Sequence, residues 1–329
     1  MLKSPDRPLV FQEKKDTKKI KSDLETFDGR EREIEIKLDA NGFPKAVAFF
    51  DIDKTLAECG FIHGVVFKKL SEEMFPDQDP DKMTKLYLNG LHLGTTFRVF
   101  HRMAGIAQGK DWADPQKYLE WLPGHEKEVD EEGPDHDFAA ELSIKGSRMA
   151  AQMAEEMYRK DPQTFEQAKI KPVFHLARLY QRLGIPMVVM TANDEPFAKA
   201  ACKCLGLADS FITLACQKDF VGRGKEGAIE YLIERLKEKG VPVPKNLIVV
   251  GDSLNGDIGS GAKFMQEHSE YSMKGVLVGE GDVEATKERI KNDPQLENMP
   301  VEVLNPSLVS NDKRGMPSLA RYRKKHDTK

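Results

Sequence analysis

Short apolar runs alternate with amphipathic stretches along most of the chain, and one long interval breaks the alternation. Ala46–Phe50 is wholly apolar, and four similar runs follow far downstream: Pro186–Met190, Ser210–Leu214, Leu247–Val250 and Gly275–Val278. Runs of this length, bounded by turn residues, predict buried strands. Most are separated by stretches with helical spacing of apolar residues, namely Val173–Leu183, Glu195–Leu205, Gly227–Lys239 and Ile258–His268. Strand and helix in this alternation imply an α/β fold, a parallel sheet with helices on both faces. Upstream, Glu33–Leu38 alternates charged and apolar residues, and Ala40-Asn41-Gly42 supplies turn chemistry before Ala46. Together they predict a hairpin feeding the first buried strand.

The break in the pattern runs from about residue 65 to 170, where only helical signals occur, for instance over Asp81–Ala107 and Phe138–Arg159. A polar, acidic stretch, His125–Asp137, interrupts them and reads as a solvated loop. The resulting division is a charged N-terminal arm over 1–32, a Rossmann-like core over 33–64 and 171–329, and an inserted helical cap over 65–170. The arm carries few large apolar groups and is expected to be mobile or laid on the surface. The basic tail Arg321–Lys329 reads as a frayed, solvated end.

Composition narrows the class. At 329 residues the chain exceeds what one compact core usually spans. Its 40% hydrophobic and 32% charged residues are those of an ordinary soluble globular protein. A net charge of -4 gives no global pull toward nucleic acid or anionic membrane. No apolar run is long enough to cross a bilayer, and the charged N-terminus does not read as a signal peptide, so a cytoplasmic location is expected. Cys59, Cys202, Cys204 and Cys216 are too few for a disulfide scaffold and read as structural thiols.

Candidate chemistry gathers where the apolar runs end. Phe50-Asp51-Ile52-Asp53-Lys54-Thr55 places two carboxylates beyond the first strand, at the sheet edge where open α/β folds bind ligands. Alternation points both the same way, and carboxylates that close repel unless a cation lies between them or one keeps a proton. A divalent, oxygen-preferring metal is the economical reading, with an acidic turn or cap as the alternative. Leu247–Val250 runs in the same manner into Gly251-Asp252-Ser253-Leu254-Asn255-Gly256-Asp257, where Asp257 alone could be a helix N-cap. Met190-Thr191-Ala192-Asn193-Asp194 ends another strand with a hydroxyl and free N–H groups suited to phosphate, or with a plain N-cap. Lys225, before the helix at 227–239, could neutralise a bound phosphate.

Taken in order, strand-D-x-D-x-T, strand-T, a lysine before a helix and strand-G-D-S-x-x-x-D resemble the haloacid dehalogenase-like superfamily, over residues 46 to 257. The helical insertion between the first and second motifs is similar to that of the phosphoserine phosphatase-like subgroup. The resemblance implies a magnesium-dependent phosphatase that hydrolyses a small phosphomonoester through an aspartyl-phosphate. It makes Asp51 the nucleophile and a metal ligand. Asp53 becomes the acid/base, with its backbone carbonyl on the metal. Thr191 and Lys225 hold the phosphate, Asp252 is the third metal ligand, and Asp257 supports the metal's water shell. An acid at Asp53 fits phosphatases and some phosphomutases, so a phosphotransferase or mutase is the alternative, and a non-catalytic binding protein the third reading. The expected partner is a small phosphorylated metabolite, with His92, Arg98, Arg102 or Arg148 available to grip a carboxylate or second phosphate on it.

Overall fold

The computed structural model describes residues 16–90, 96–121, 124–125, 134–220, 223–279 and 282–305. Its first two strands, β1 (Thr17–Lys21) and β2 (Glu33–Lys37), pair antiparallel with Ile20 opposite Ile34. Ile20, Ile34 and Ile36 are buried while most of the intervening lysines and glutamates stay exposed. Two expectations are corrected here. From residue 16 onward the charged arm is built into the fold, because Ile20 and Leu24 are buried and the Ser22 hydroxyl donates to the Phe211 carbonyl at 2.7 Å. And β2 pairs with β1, not with the strand after Gly42. An amphipathic strand can bury only one face, whereas the wholly apolar run at 47–50 needs cover on both.

That run is β3 (Val47–Phe50), with all four residues buried. The chain then passes through α1 (Gly60–Met74), α2 (Pro80–Gly90), α3 (Thr96–Ala107), α4 (Pro115–Trp121), α5 (Pro134–Lys160) and α6 (Pro162–Ala168). After them come α7 (Lys171–Leu183), β4 (Met187–Met190), α8 (Glu195–Leu205), β5 (Leu214–Ala215) and α9 (Lys225–Glu238). The last elements are β6 (Asn246–Gly251), α10 (Gly259–Glu267), β7 (Ser272–Val278), α11 (Val283–Lys291) and β8 (Val301–Leu304).

Strands β3 to β8 form one sheet in the order β5-β4-β3-β6-β7-β8, every pairing parallel, which is the Rossmann-like architecture expected. Apolar clusters cover both faces of it: Phe50 and Val189 face one, Phe49 and Val188 the other. The chain moves outward from β3 through β4 to β5, then returns to β3's other flank with β6. The direction therefore switches between β3 and β6, the place where the carboxyl ends of such sheets form a crevice.

The helices between β3 and β4 have two packing attachments. Phe67, Leu70, Met83, Val99, Phe100 and Leu142 form a cluster of their own. The second half of α5 instead joins the core, with Ala150 and Ala154 in one cluster with Phe197 and Ala201 of α8. Phe27, in the segment after β1, lies on Tyr158 of α5 with ring centroids 4.4 Å apart. The single helical stretch expected over Asp81–Ala107 is shared between α2 and α3. His92, most of the acidic stretch, residues 1–15 and the basic tail lie outside the described residues. Among the described residues no helix is long and apolar enough to cross a membrane. All four cysteines are buried and free.

Candidate active site

Asp51 prolongs β3 by one residue, its N–H donating to the Val250 carbonyl of β6 at 3.0 Å. The chain then reverses sharply. The Ile52 carbonyl accepts the N–H groups of Thr55, Leu56 and Ala57, while Lys54 takes a left-handed conformation with φ 55°. For a lysine that conformation costs about 1–2 kcal/mol. Ile52 and Leu56, both fully buried, hold the turn against the core. The reversal leaves Asp51 and Asp53 at the mouth of the crevice between β3 and β6.

Opposite them, β6 ends at Gly251 and leads into Asp252. A π-turn over Leu254–Ile258 bends the chain back, with the Ser253 hydroxyl accepting the Gly256 N–H. Asp257 is thereby folded under the strand end, fully buried, its Oδ2 accepting the Ser253 N–H at 3.0 Å. The approach is so close that a methyl group on Gly251 would collide with Cβ, Cγ and Oδ2 of Asp257. Gly251→Ala is therefore expected to lower stability by about 1–3 kcal/mol, the usual cost of overpacking, and to displace the Asp257 carboxylate. A urea melt identical to the parent's would contradict this contact.

Carboxylate oxygens of Asp51, Asp252 and Asp257 come within 4.8 Å of one another. Among the described residues, one cation forms ion pairs within the group. Lys225, at the start of α9, places Nζ 2.7 Å from Asp51 Oδ1 and 2.5 Å from Asp257 Oδ1. Burial works against the Lys225 charge, but Asp257 and Asp51 outweigh it and hold its pKa above the ordinary value. Burial also raises the Asp51 carboxyl well above the usual carboxylate range, Lys225 opposing while Asp257 and Asp53 reinforce the rise. Asp252 is pushed up to about 6 by burial and then by Asp257. One ammonium thus leaves the three carboxylates with excess negative charge. An all-oxygen donor set with uncompensated charge fits a hard divalent cation.

The remaining sequence candidates lie on the β4 side. Thr191, at the end of β4, is buried, and its Oγ1 accepts from Asn193 Nδ2 at 2.9 Å and from the Asn193 backbone N–H at 3.2 Å. The same Nδ2 lies 2.6 Å from Asp53 Oδ2. On the other flank of Asp53, His63 Nε2 stands 4.0 Å from Oδ1, its ring edge against Phe197. Burial lowers the His63 pKa, with Asp53 opposing. Sequence reasoning gave neither Asn193 nor His63 a role. The available signals were the placement of Asn193 just before a helix start and of His63 in the first turn of α1.

Beside Asp53, residues His63, Ser143, Ser147, Asn193, Asp194 and Phe197 help line a cavity of ≈ 20 Å³. That is room for about one water. The Ser143 hydroxyl donates to the Asp194 carboxylate, and Ser147 Oγ accepts the Phe197 N–H at 3.0 Å, tying α5 to the start of α8. None of the three described cations expected to grip substrate lines this cavity. Arg102 is buried among the helices and donates to the Ala113 carbonyl, while Arg148 is exposed beside Ile144 and Gln152.

A family profile described as haloacid dehalogenase-like hydrolase matches residues 45–264, which include all six of the sequence-selected site residues. No curated protein matches the chain. Among solved structures, YfnB from Bacillus subtilis, a HAD-hydrolase bound to magnesium, is similar at 16% identity. It covers 70% of this chain and 86% of its own, with a TM-score of 0.40. A candidate haloacid dehalogenase-like hydrolase from Bacteroides fragilis is similar at 13% identity, covering 80% and 99%, with a TM-score of 0.44. The β-phosphoglucomutase pgmB from Clostridium difficile is similar at 13% identity, covering 85% and 97%, with a TM-score of 0.43.

Proposed function

Because this chain belongs to the haloacid dehalogenase-like hydrolases, we propose that it is a magnesium-dependent phosphatase acting on a small phosphomonoester through an aspartyl-phosphate on Asp51. The observation that carries this reading is the Asp51 carboxylate, held by Lys225 at 2.7 Å within 4.8 Å of Asp252 and Asp257. Asp51, Asp252 and the backbone of Asp53 would hold the magnesium, with Asp257 supporting its water shell. When bound, the ion supplies Lewis-acid screening of the phosphoryl oxygens. Lys225 screens the approach of an anionic nucleophile to an anionic phosphate. Thr191 holds a phosphoryl oxygen through its hydroxyl.

The steps balance on the chain's own groups. An Asp51 oxygen bonds to phosphorus, the bond to the leaving alcohol breaks, and Asp53 gives that oxygen its proton. Asp53, now a carboxylate, takes a proton from a water whose oxygen attacks phosphorus, and the bond to Asp51 breaks. Dividing hydrolysis in this way replaces one difficult step with two easier ones. The helices of residues 65–170 act as a cap over this chemistry, in the placement of the phosphoserine phosphatase-like subgroup. The substrate is a small phosphorylated metabolite of the cytoplasm.

The test is a panel of small phosphomonoesters, with and without Mg²⁺, on the parent and on Asp252→Ala. Phosphate release that needs Mg²⁺ and disappears in Asp252→Ala is the expected result. Full activity in Asp252→Ala would remove that ligand from the assignment. Transfer of the phosphoryl group to an added alcohol in place of release would point to a phosphotransferase.

A further inference from the structure

Asn193 joins two of the motifs through a single side chain. Its Nδ2 reaches Asp53 Oδ2 at 2.6 Å and Thr191 Oγ1 at 2.9 Å, and its backbone N–H reaches the same Oγ1 at 3.2 Å. The residue is 7% exposed, so water competes little for these bonds. An amide nitrogen has two hydrogens to give and no acceptor capacity, so both side-chain contacts are donations. Against an ionised Asp53 carboxylate, turning the amide over would set two acceptors at hydrogen-bond distance.

Two consequences follow from donors alone. With Oδ2 of Asp53 held by the Asn193 amide, the Asp53 carboxyl is fixed in one orientation. With Oγ1 of Thr191 already accepting from two N–H groups, the Thr191 hydrogen is left to donate to another partner. We infer that Asn193 is a positioning residue. It fixes the orientation of the Asp53 carboxyl and makes the Thr191 hydroxyl a donor toward the phosphoryl group. As the bond from phosphorus to the leaving alcohol breaks, the alcohol oxygen keeps the bonding pair and takes the proton from the Asp53 carboxyl. In the second step the proton lost by water returns to that carboxyl. The inference rests on the phosphohydrolase reading above, and it predicts that losing Asn193 harms proton transfer more than it harms phosphate binding.

The experiment uses full-length protein with Mg²⁺ and compares Asn193→Leu, of similar volume without donors, and Asn193→Ala with the parent. Two substrates are used: the best alkyl phosphate from the panel, whose alcohol must be protonated to leave, and 2,4-dinitrophenyl phosphate, whose phenolate leaves without a proton. The value of kcat/KM is read because it covers only the steps through departure of the leaving group. The loss on the alkyl ester should exceed the loss on the aryl ester by about tenfold or more, the scale of a lost hydrogen bond to a charged group. Any disturbance of Thr191 affects both esters and cancels in that ratio. Equal losses on the two esters in the folded variants would overturn the inference and leave Asn193 a merely structural residue. If Asn193→Leu does not fold, Asn193→Ala decides. A parent that hydrolyses neither ester overturns the phosphohydrolase reading, and the role of Asn193 with it.

Discussion

Asp51→Asn is expected to abolish turnover, with kcat falling by about 10⁵-fold or more, the scale lost when a covalent nucleophile is removed. Asparagine keeps the shape of the side chain, so Val250 still accepts the backbone N–H and the crevice keeps its form. What disappears is the anionic oxygen that bonds to phosphorus. Asp53→Asn is the informative contrast. It leaves the nucleophile and removes only the proton transfer, which contributes about 10²–10⁴-fold. The slower second step should then let labelled aspartyl-phosphate accumulate on Asp51. Stability should move the opposite way from activity. Burial already raises the Asp51 carboxyl, so a neutral amide there removes a desolvated charge, and Asp257 remains to pair with Lys225. The metal-free Asp51→Asn protein should melt no lower than the parent. Retention of label from a phosphorylated substrate by Asp51→Asn would show that another residue is the nucleophile.

The parts of this site that the sequence made visible are those governed by local rules. Asp51, Thr191 and Asp252 each follow an apolar run, and a buried parallel strand is wholly apolar because both of its faces are covered. Its carboxyl end is therefore marked by the first polar residue. Lys225 was legible from its position before a helix. The contact from Asn193 to Asp53 spans 140 positions, and nothing in either local pattern announces it. The same limit hid β1 and its pairing with β2, where Ile20 stands alone among lysines and its partner Ile34 among glutamates. Neither residue marks a core until the two strands are laid side by side. At one edge of the six-stranded sheet, β8 is largely half-buried, and α11 buries no residue at all. Both lack the dense apolar signal that gave the central strands away. Asp257 was visible as an acid after the strand. Its tuck beneath Gly251 depends on the turn at Ser253.

Lys225→Met should show what the Lys225 ammonium does among these carboxylates. The substitution removes the ammonium from between Asp51 Oδ1 and Asp257 Oδ1 and leaves a chain of similar length. Breaking a buried pair from one side costs about 3–5 kcal/mol, because the partner charge stays buried without compensation. In the parent, the folded Lys225 pKa is raised, so its contribution is fully present below the unfolded value and persists across the neutral range. The carboxyls behave in the opposite sense. Asp51 and Asp252 are raised in the fold, Asp252 to about 6, so protonation suits the folded state. Their contribution is complete below the unfolded value near 3.8 and is lost as pH climbs through the folded value, for Asp252 between roughly 4 and 6. Without Lys225 the loss must deepen, since Asp51 no longer has the cation that opposes its burial. Metal-free Lys225→Met should therefore fall further below the parent in melting temperature at pH 7.5 than at pH 5. Added Mg²⁺ should restore more of the difference at pH 7.5, where the carboxylates are charged and able to bind it. Turnover should still be lower by about 10²–10³-fold, the usual cost of removing one donor to a developing charge. A difference in melting temperature that is the same at both pH values, and indifferent to Mg²⁺, would mean that the carboxylates are compensated by something other than Lys225 and a metal ion.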